Sequence, residues 1–507
     1  MISKDNKLRL LIFFFLLFYY FALSGPHLAL DSRPQFLLIE DAALNSSFKT
    51  RLDLPSVDEI QAREYVLKQS ERLHELQGKP FDPSNPAPIE RVASPVLLAS
   101  IGVPFYHLAN FLSLPPTKFV PFILNPIITA LAGVVIFSFG QQLYDSRKIG
   151  IVLAIFFGVT SLVVPWTSEL YTRLLASLLL ISAIYFSYLA KQKSQAWFAF
   201  LGGLFNASMF LAQPMTFPLI LPIAGYSLFS FRKNKKLFIA FLLGFFIGAG
   251  LQGYLNLVRF GSPLSFGFNY GEPEVWDWAF FKNFEGLYGL FISPSWSFFV
   301  YYPIAILFPL SFYLLYKKDR SLSLLFTILM IVIWFYVGIQ THWTGYGSWG
   351  PRYLIPMIPV ITIATGAVIQ KFSHKKTWKG ILASLAALGF FVNLLGSLIW
   401  FMVGYGVFWE DRSKGLANEG DLNWHPMHSL VVNHFKAATT GFAAKYQGEF
   451  PYGAWQNYTY SPCSFDLLLY CNYGLVPIFI LAAGMAVISY FIIKILMNEK
   501  RKLQMSK

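Results

Sequence analysis

The stretch Gly345-Tyr-Gly-Ser-Trp-Gly-Pro-Arg352 places one cation at the mouth of an apolar run that continues YLIPMIPV. A guanidinium forks onto phosphate through parallel hydrogen bonds. The glycines let backbone approach a ligand closely, and Pro351 suits a helix start. His342, Trp343, Tyr346 and Trp349 surround that arginine in sequence and make a candidate sugar pocket. Carboxylates able to take a proton from a hydroxyl stand far upstream, at Asp31, Glu40 and Asp41 in LALDSRPQFLLIEDAAL. Arg33 and Arg259 are further cations that can hold phosphate. A base for an acceptor hydroxyl and a cation for a leaving phosphate are the minimum kit for group transfer away from a phosphate. The chain has no Walker loop, no GxGxxG after a strand and no His/Cys set at metal spacing. No cofactor is therefore expected, and a divalent metal is left open.

The elements that must carry these residues are membrane helices. The 507 residues are 55% hydrophobic and only 13% charged, where soluble domains carry about a quarter charged. Apolar runs near the ~20 residues a bilayer needs recur along the chain. The fold class expected is all-α polytopic, with about twelve transmembrane helices, placed at 8–26, 119–142, 149–165, 171–190, 195–213, 216–231, 237–257, 297–316, 321–341, 353–371, 379–403 and 474–496. The first run reads as a retained signal anchor, because no small-residue cleavage site follows it. No acid falls inside these spans, which argues against a proton relay in the bilayer.

The connectors then sort by charge. Arg147-Lys148, Lys191 and Lys193, Arg232 to Lys236, Lys317 to Arg320, Lys371 with Lys375-Lys376, and Lys500 to Lys502 fall on one side. That side is expected to be cytoplasmic, with both termini, in a plasma (inner) membrane. The net charge of +14 thus reflects orientation and not nucleic-acid binding, which needs a basic face. The segment 92–112 is read as a helix at the outer interface, since counting it as a span inverts every later loop and Pro95 and Pro104 disfavour a straight crossing. The organisation expected is a transmembrane unit over 1–404 that includes the outer loop 25–118, an outer loop over 405–473, and a last span with its basic tail over 474–507. The outer loops also hold an amphipathic candidate helix at 57–78, sequons at Asn45 and Asn457, and the pair Cys463 and Cys471, expected to bridge in an oxidising compartment.

An enzyme whose reactive groups face outward works away from cytoplasmic nucleotide sugars and needs an activated substrate already in the bilayer. A polyprenyl-phosphate sugar is such a substrate. The expected partners are that donor, a glycan, lipid or protein acceptor, and the bilayer itself. Twelve spans with inside termini also suit a transporter or flippase of lipid-linked sugar. Such carriers often show internal repeats, and none is evident here.

Several ordered pieces carry a family resemblance. LDSRPQFLLIEDAALNSSF sits where an acidic first-loop motif is expected, and SPVLLASIGVPFYHLANFL is similar to a Pro-rich helix that follows it. GLYGLFISPSWSFFVYYPIAIL resembles a Gly-Leu-x-Gly-Leu-x-x-Ser-Pro segment, and GYGSWGPRYLIPMIPV is very like Gly-x-Ser-x-Gly-Pro-Arg-Tyr-Leu-x-Pro. Together they resemble the GT-C membrane glycosyltransferases, in their prokaryotic branch related to the protein O-mannosyltransferases, over roughly residues 8 to 440. The resemblance implies a mannosyltransferase-like enzyme with Asp31 as base and Arg352 on the lipid phosphate. The chain departs from the pattern at three places. Asp31-Ser32-Arg33 replaces an acidic pair, Arg173 stands where relatives often carry Glu, and Gln213 where they often carry Arg. Such departures leave a third reading, an inactive relative serving as an assembly partner.

Overall fold

The computed structural model describes residues 3–25, 32–48, 53–58, 95–264, 284–345, 347–440 and 467–505, with residues 63, 66, 67, 71 and 82 between. Among these, every regular element is helical. The α-helices are α1 Lys4–Leu23, α2 Ser32–Asn45, α3 Val96–Phe111, α4 Pro116–Tyr144, α5 Arg147–Thr160, α6 Val163–Trp166 and α7 Thr172–Lys193. They continue with α8 Ala196–Ala212, α9 Phe217–Phe231, α10 Lys235–Phe260, α11 Glu285–Ile292, α12 Phe298–Tyr301, α13 Phe308–Lys318 and α14 Arg320–Gly338. The last are α15 Ile358–Phe372, α16 Lys376–Leu398, α17 Phe401–Ser413, α18 Asp421–Trp424, α19 Leu430–Thr440, α20 Leu468–Tyr473 and α21 Val476–Met505.

Nine of the described helices are long and apolar enough to cross a bilayer, against about twelve expected from the sequence. The other three expected spans are shortened or interrupted. The segment expected at 149–165 becomes α5, which ends at Thr160; the Ser161 hydroxyl donates to the Phe157 carbonyl at 2.5 Å, and Pro165 follows inside α6. The segment at 195–213 folds as α8, 17 residues long. The segment at 297–316 breaks into α12, a 3-10 turn at Pro303–Leu307 and α13. Pro303 and Pro309 each lack the N–H an uninterrupted helix needs. The interfacial segment is α3, 16 residues long with Pro104 inside. The helix Phe401–Ser413, α17, runs across residue 404, the expected end of the transmembrane unit before the outer loop 405–473.

The basic connectors gather at one end of the bundle. Arg147 pairs with Asp5 at 2.6 Å, joining the start of α5 to the start of α1. Gln142 donates to Gln192 at 3.0 Å. Gln370 donates to the Tyr144 carbonyl at 3.1 Å and accepts from Lys318 at 3.2 Å. The end of α1, the turn between α6 and α7, and the loop between α14 and residue 352 therefore share the opposite end. Core packing between these ends is dense: α10 lies along α8, where Gly203 and Gly244 each meet the partner helix's backbone. The amphipathic segment 57–78 lies largely outside the described residues, and Asn457 wholly so.

Candidate active site

At the end away from the basic connectors, four elements converge. Ser32 opens α2, and its hydroxyl donates to Glu169 Oε2 at 2.7 Å. Glu169 is buried in the turn between α6 and α7. That turn is pinned by Asn125 of α4, whose Nδ2 donates to the carbonyls of Glu169 and, at 3.3 Å, of Tyr171. The Tyr171 N–H closes back on the Glu169 carbonyl at 2.8 Å. The Tyr171 ring stacks on Trp166 at 4.3 Å between centroids, so an aromatic floor carries the start of α7.

Two arginines bracket that floor. The Arg173 guanidinium carbon lies 4.5 Å from the Tyr171 ring centroid and 4.4 Å from that of Tyr353. The Arg352 guanidinium carbon lies 5.7 Å and 5.5 Å from the same two centroids. Both cations thus face one pair of rings, at distances where the ring quadrupole attracts them. Beside them, Thr172 donates to Gln213 Oε1 at 2.5 Å. The positions where the chain departs from its relatives' pattern, 173 and 213, are therefore neighbours within this one site.

The loop before Arg352 is shaped to present it. Gly345 has φ +77°, and a Cβ there would stand 3.0 Å from Arg352 Nε. Glycine is required both for the left-handed backbone and for the approach of the side chain. Ser348 is buried; its hydroxyl donates to the Gly350 carbonyl at 3.1 Å, and its N–H to the Tyr405 hydroxyl at 3.4 Å. Trp166 Nε1 donates to the Trp349 carbonyl at 3.3 Å, tying this loop to the turn that holds Glu169.

The other expected site residues distribute differently. Glu40 is buried and engaged: Oε2 accepts from the Ser56 hydroxyl at 2.5 Å and Oε1 from the Tyr106 hydroxyl at 3.1 Å. Burial, with the Glu40 carboxylate beside it, pushes the Tyr106 phenol up to about 12. Asp41 accepts from Asn45 at 2.9 Å and from Ser47, closing the end of α2. The oxygens of both acids thus hold local structure. Arg33 is buried in the first turn of α2, next to Ser32. Arg259 stands in the last turn of α10, which packs on α8 and α9. His342 begins the turn that Gly345 closes through its N–H at 2.9 Å.

Trp343 and Trp349 are both buried. Trp343 is buried against Gly286 and Gly289 of α11, where any Cβ would strike its indole. Trp349 is sealed between Gly396, Tyr301 at 5.3 Å and His434 at 4.4 Å. Both indoles pack against glycines of other elements. Asp31, Tyr346 and Cys463 lie outside the described residues, and Cys471 is disulfide-bonded. Among the described residues no group of three or more His, Cys, Asp or Glu side chains is arranged to hold a metal ion.

Sequence reasoning missed Glu169 and Tyr171 and read Arg173 only as a departure. The available signal was Glu169-Leu-Tyr171-Thr-Arg173 at the mouth of a span, acid, ring and cation at alternate positions.

A family model described as dolichyl-phosphate-mannose-protein mannosyltransferase matches residues 103–250. The match bears out the resemblance to the GT-C glycosyltransferases, and it contains Glu169, Tyr171, Arg173 and Gln213. Among solved structures, ArnT from Cupriavidus metallidurans bound to undecaprenyl phosphate is similar at 13% identity, with a TM-score of 0.46 over 95% of this chain and 75% of that chain. No curated protein matches the chain.

Proposed function

We propose that this multi-pass membrane protein transfers a hexosyl residue from a polyprenyl-phosphate donor to a glycan, lipid or protein acceptor on the extracytoplasmic face. The observation that carries the reading is the pair of guanidiniums at positions 173 and 352 around one pair of tyrosine rings. A phosphate is the anion such planar donors fit best. The mannosyltransferase family match over 103–250 supports the sugar chemistry. The positive-inside rule supports the outward orientation.

In this reading the acceptor hydroxyl attacks the anomeric carbon as a carboxylate removes its proton, with inversion at that carbon. Asp31 is the proposed base. Its successor in the chain, Ser32, is bonded to Glu169, which ties the start of α2 to the arginine pair. Arg352 holds the phosphate. The plasma membrane is the proposed location, with both termini cytoplasmic.

The test is turnover of a polyprenyl-phosphate sugar by purified protein. Asp31→Asn should lower it by about a hundredfold or more, the scale of a lost general base, with expression and melting temperature unchanged. Undiminished turnover in that variant removes Asp31 from the base role. Absence of any transfer or hydrolysis by the wild-type chain removes the enzymatic reading.

A further inference from the structure

We infer that the rings of Tyr288 and Trp424 form a platform for a pyranose ring, and that they hold the acceptor glycan at a sugar remote from the reacting one. The acceptor role rests on the transfer reading above.

Tyr288 lies on α11 and Trp424 ends α18, and their rings stack with centroids 5.3 Å apart and planes 26° apart. Tyr288 is 52% exposed, so the stack opens to the surface on its side. Phe284, the N-cap residue of α11 and 61% exposed, stands one turn before it. A contiguous exposed aromatic surface marks a binding site or a membrane contact.

The pair is held from beneath. Trp424 Nε1 donates to Glu285 Oε1 at 2.7 Å. Asn423, the residue before it, accepts from Trp296 Nε1 at 2.8 Å through Oδ1 and from the Ser293 hydroxyl at 2.6 Å through its carbonyl. The Ser295 hydroxyl donates to the Leu422 carbonyl. Aromatic side chains fixed in this way lose little entropy when a ligand arrives.

The same bonds decide between a sugar and a lipid. A belt tryptophan keeps its ring toward hydrocarbon and its N–H toward wet headgroups. The Trp424 N–H is given to a carboxylate of the protein, so the indole offers a face and not a polar edge. The C–H face of a pyranose covers such a ring, and its hydroxyls then meet the polar side chains of the same segment, Asp421 and the exposed His425. The stack also leads toward the arginine loop. Trp424 meets the Trp343 indole at 6.3 Å between centroids, and Trp343 lies in the turn that Gly345 closes before Arg352. A sugar held here supplies binding energy away from the reacting centre, which orients the acceptor hydroxyl.

The experiment titrates mannotriose into the full-length protein in nanodiscs by calorimetry. The wild-type chain should bind it. Tyr288→Ala should weaken binding by about tenfold, the scale of one aromatic contact, and Tyr288→Phe should retain it. Tyr288→Leu, which keeps apolar bulk without a ring face, should weaken it as much and serves if the alanine variant does not fold. Equal affinity in wild type and Tyr288→Ala overturns the inference, as does failure to bind by a wild-type chain that turns over a polyprenyl-phosphate sugar; both leave the donor reading intact. Binding that Tyr288→Ala weakens, in a wild-type chain that neither transfers nor hydrolyses such a sugar, supports the platform and overturns the donor reading. Nanodiscs of brominated phosphatidylcholine test the bilayer alternative. Quenching of the protein fluorescence should be the same in wild type and Trp424→Phe; reduced quenching in the variant puts the rings in lipid and overturns the inference.

Discussion

The buried carboxylate of Glu40 is held by two hydroxyls from distant segments, Ser56 and Tyr106. Such a group costs several kcal/mol if its donors are removed. Tyr106→Phe should therefore destabilise the fold by about 1–2 kcal/mol while leaving turnover near wild type. The effect has a pH signature. The folded phenol titrates near 12, above its ordinary value of 10, so its contribution is fully present below pH 10. As pH rises from 10 to 12 the unfolded tyrosine ionises first, and the contribution is lost. Thermal melting of both proteins across pH 8 to 12 should show the gap closing over that window; a gap that stays constant would remove Tyr106 as its source. The same residues mark what sequence can and cannot tell. Arg352 was legible because its glycines, serine and proline form a specific local pattern. The burial of the Trp343 and Trp349 indoles was not legible because their packing partners, Gly286, Gly289 and Gly396, lie at other places in the chain. The donors to Glu40 were hidden for the same reason, since Ser56 and Tyr106 are brought to it only by folding.

The loop from Gly345 to Arg352 is a device for aiming one side chain. Its three left-handed glycines, Gly345, Gly347 and Gly350, turn the chain so that the arginine folds back over its own loop. Gly345→Ala should cost about 1–2 kcal/mol for the backbone alone. The added methyl also meets Arg352 Nε at 3.0 Å, so the guanidinium must move. Donor turnover should fall about tenfold or more, on the scale that misplacement by an ångström exacts, with a melting temperature lowered by only a few degrees. Equal turnover would show that the aim of the side chain does not matter. At this scale the sequence was legible wherever an element is long and apolar, as in α4, α7, α14 and α15. It was illegible where hydropathy runs on through a break. Residues 297–316 are apolar throughout, yet Ser297 caps one short helix and Pro303 and Pro309 start two more. Hydropathy reports solvent preference and is blind to a missing N–H.

Across the whole molecule, the charge pattern and the tertiary contacts give the same division. The positive-inside rule grouped connectors that are far apart in sequence. The structure joins four of those places directly, through Asp5 to Arg147, Gln142 to Gln192, and Gln370 to both Tyr144 and Lys318. The arginine pair occupies the other end. The division was readable from sequence because charge sidedness depends only on the order of spans, and the shortening of three spans does not change that order. What remains is which end faces the cell interior, and impermeant thiol labelling decides it. Lys193 is exposed in the last turn of α7, at the basic end, and Leu416 is 64% exposed beyond α17, at the end that carries the site. Cys471 is already disulfide-bonded, so unmodified protein should give a low blank with an impermeant maleimide. In intact cells Leu416→Cys should label fully, and Lys193→Cys only after lysis. The opposite pattern would turn the arginine pair toward the cytoplasm, where soluble nucleotide sugars compete with lipid-linked donors, and the proposed substrate class would fall with it.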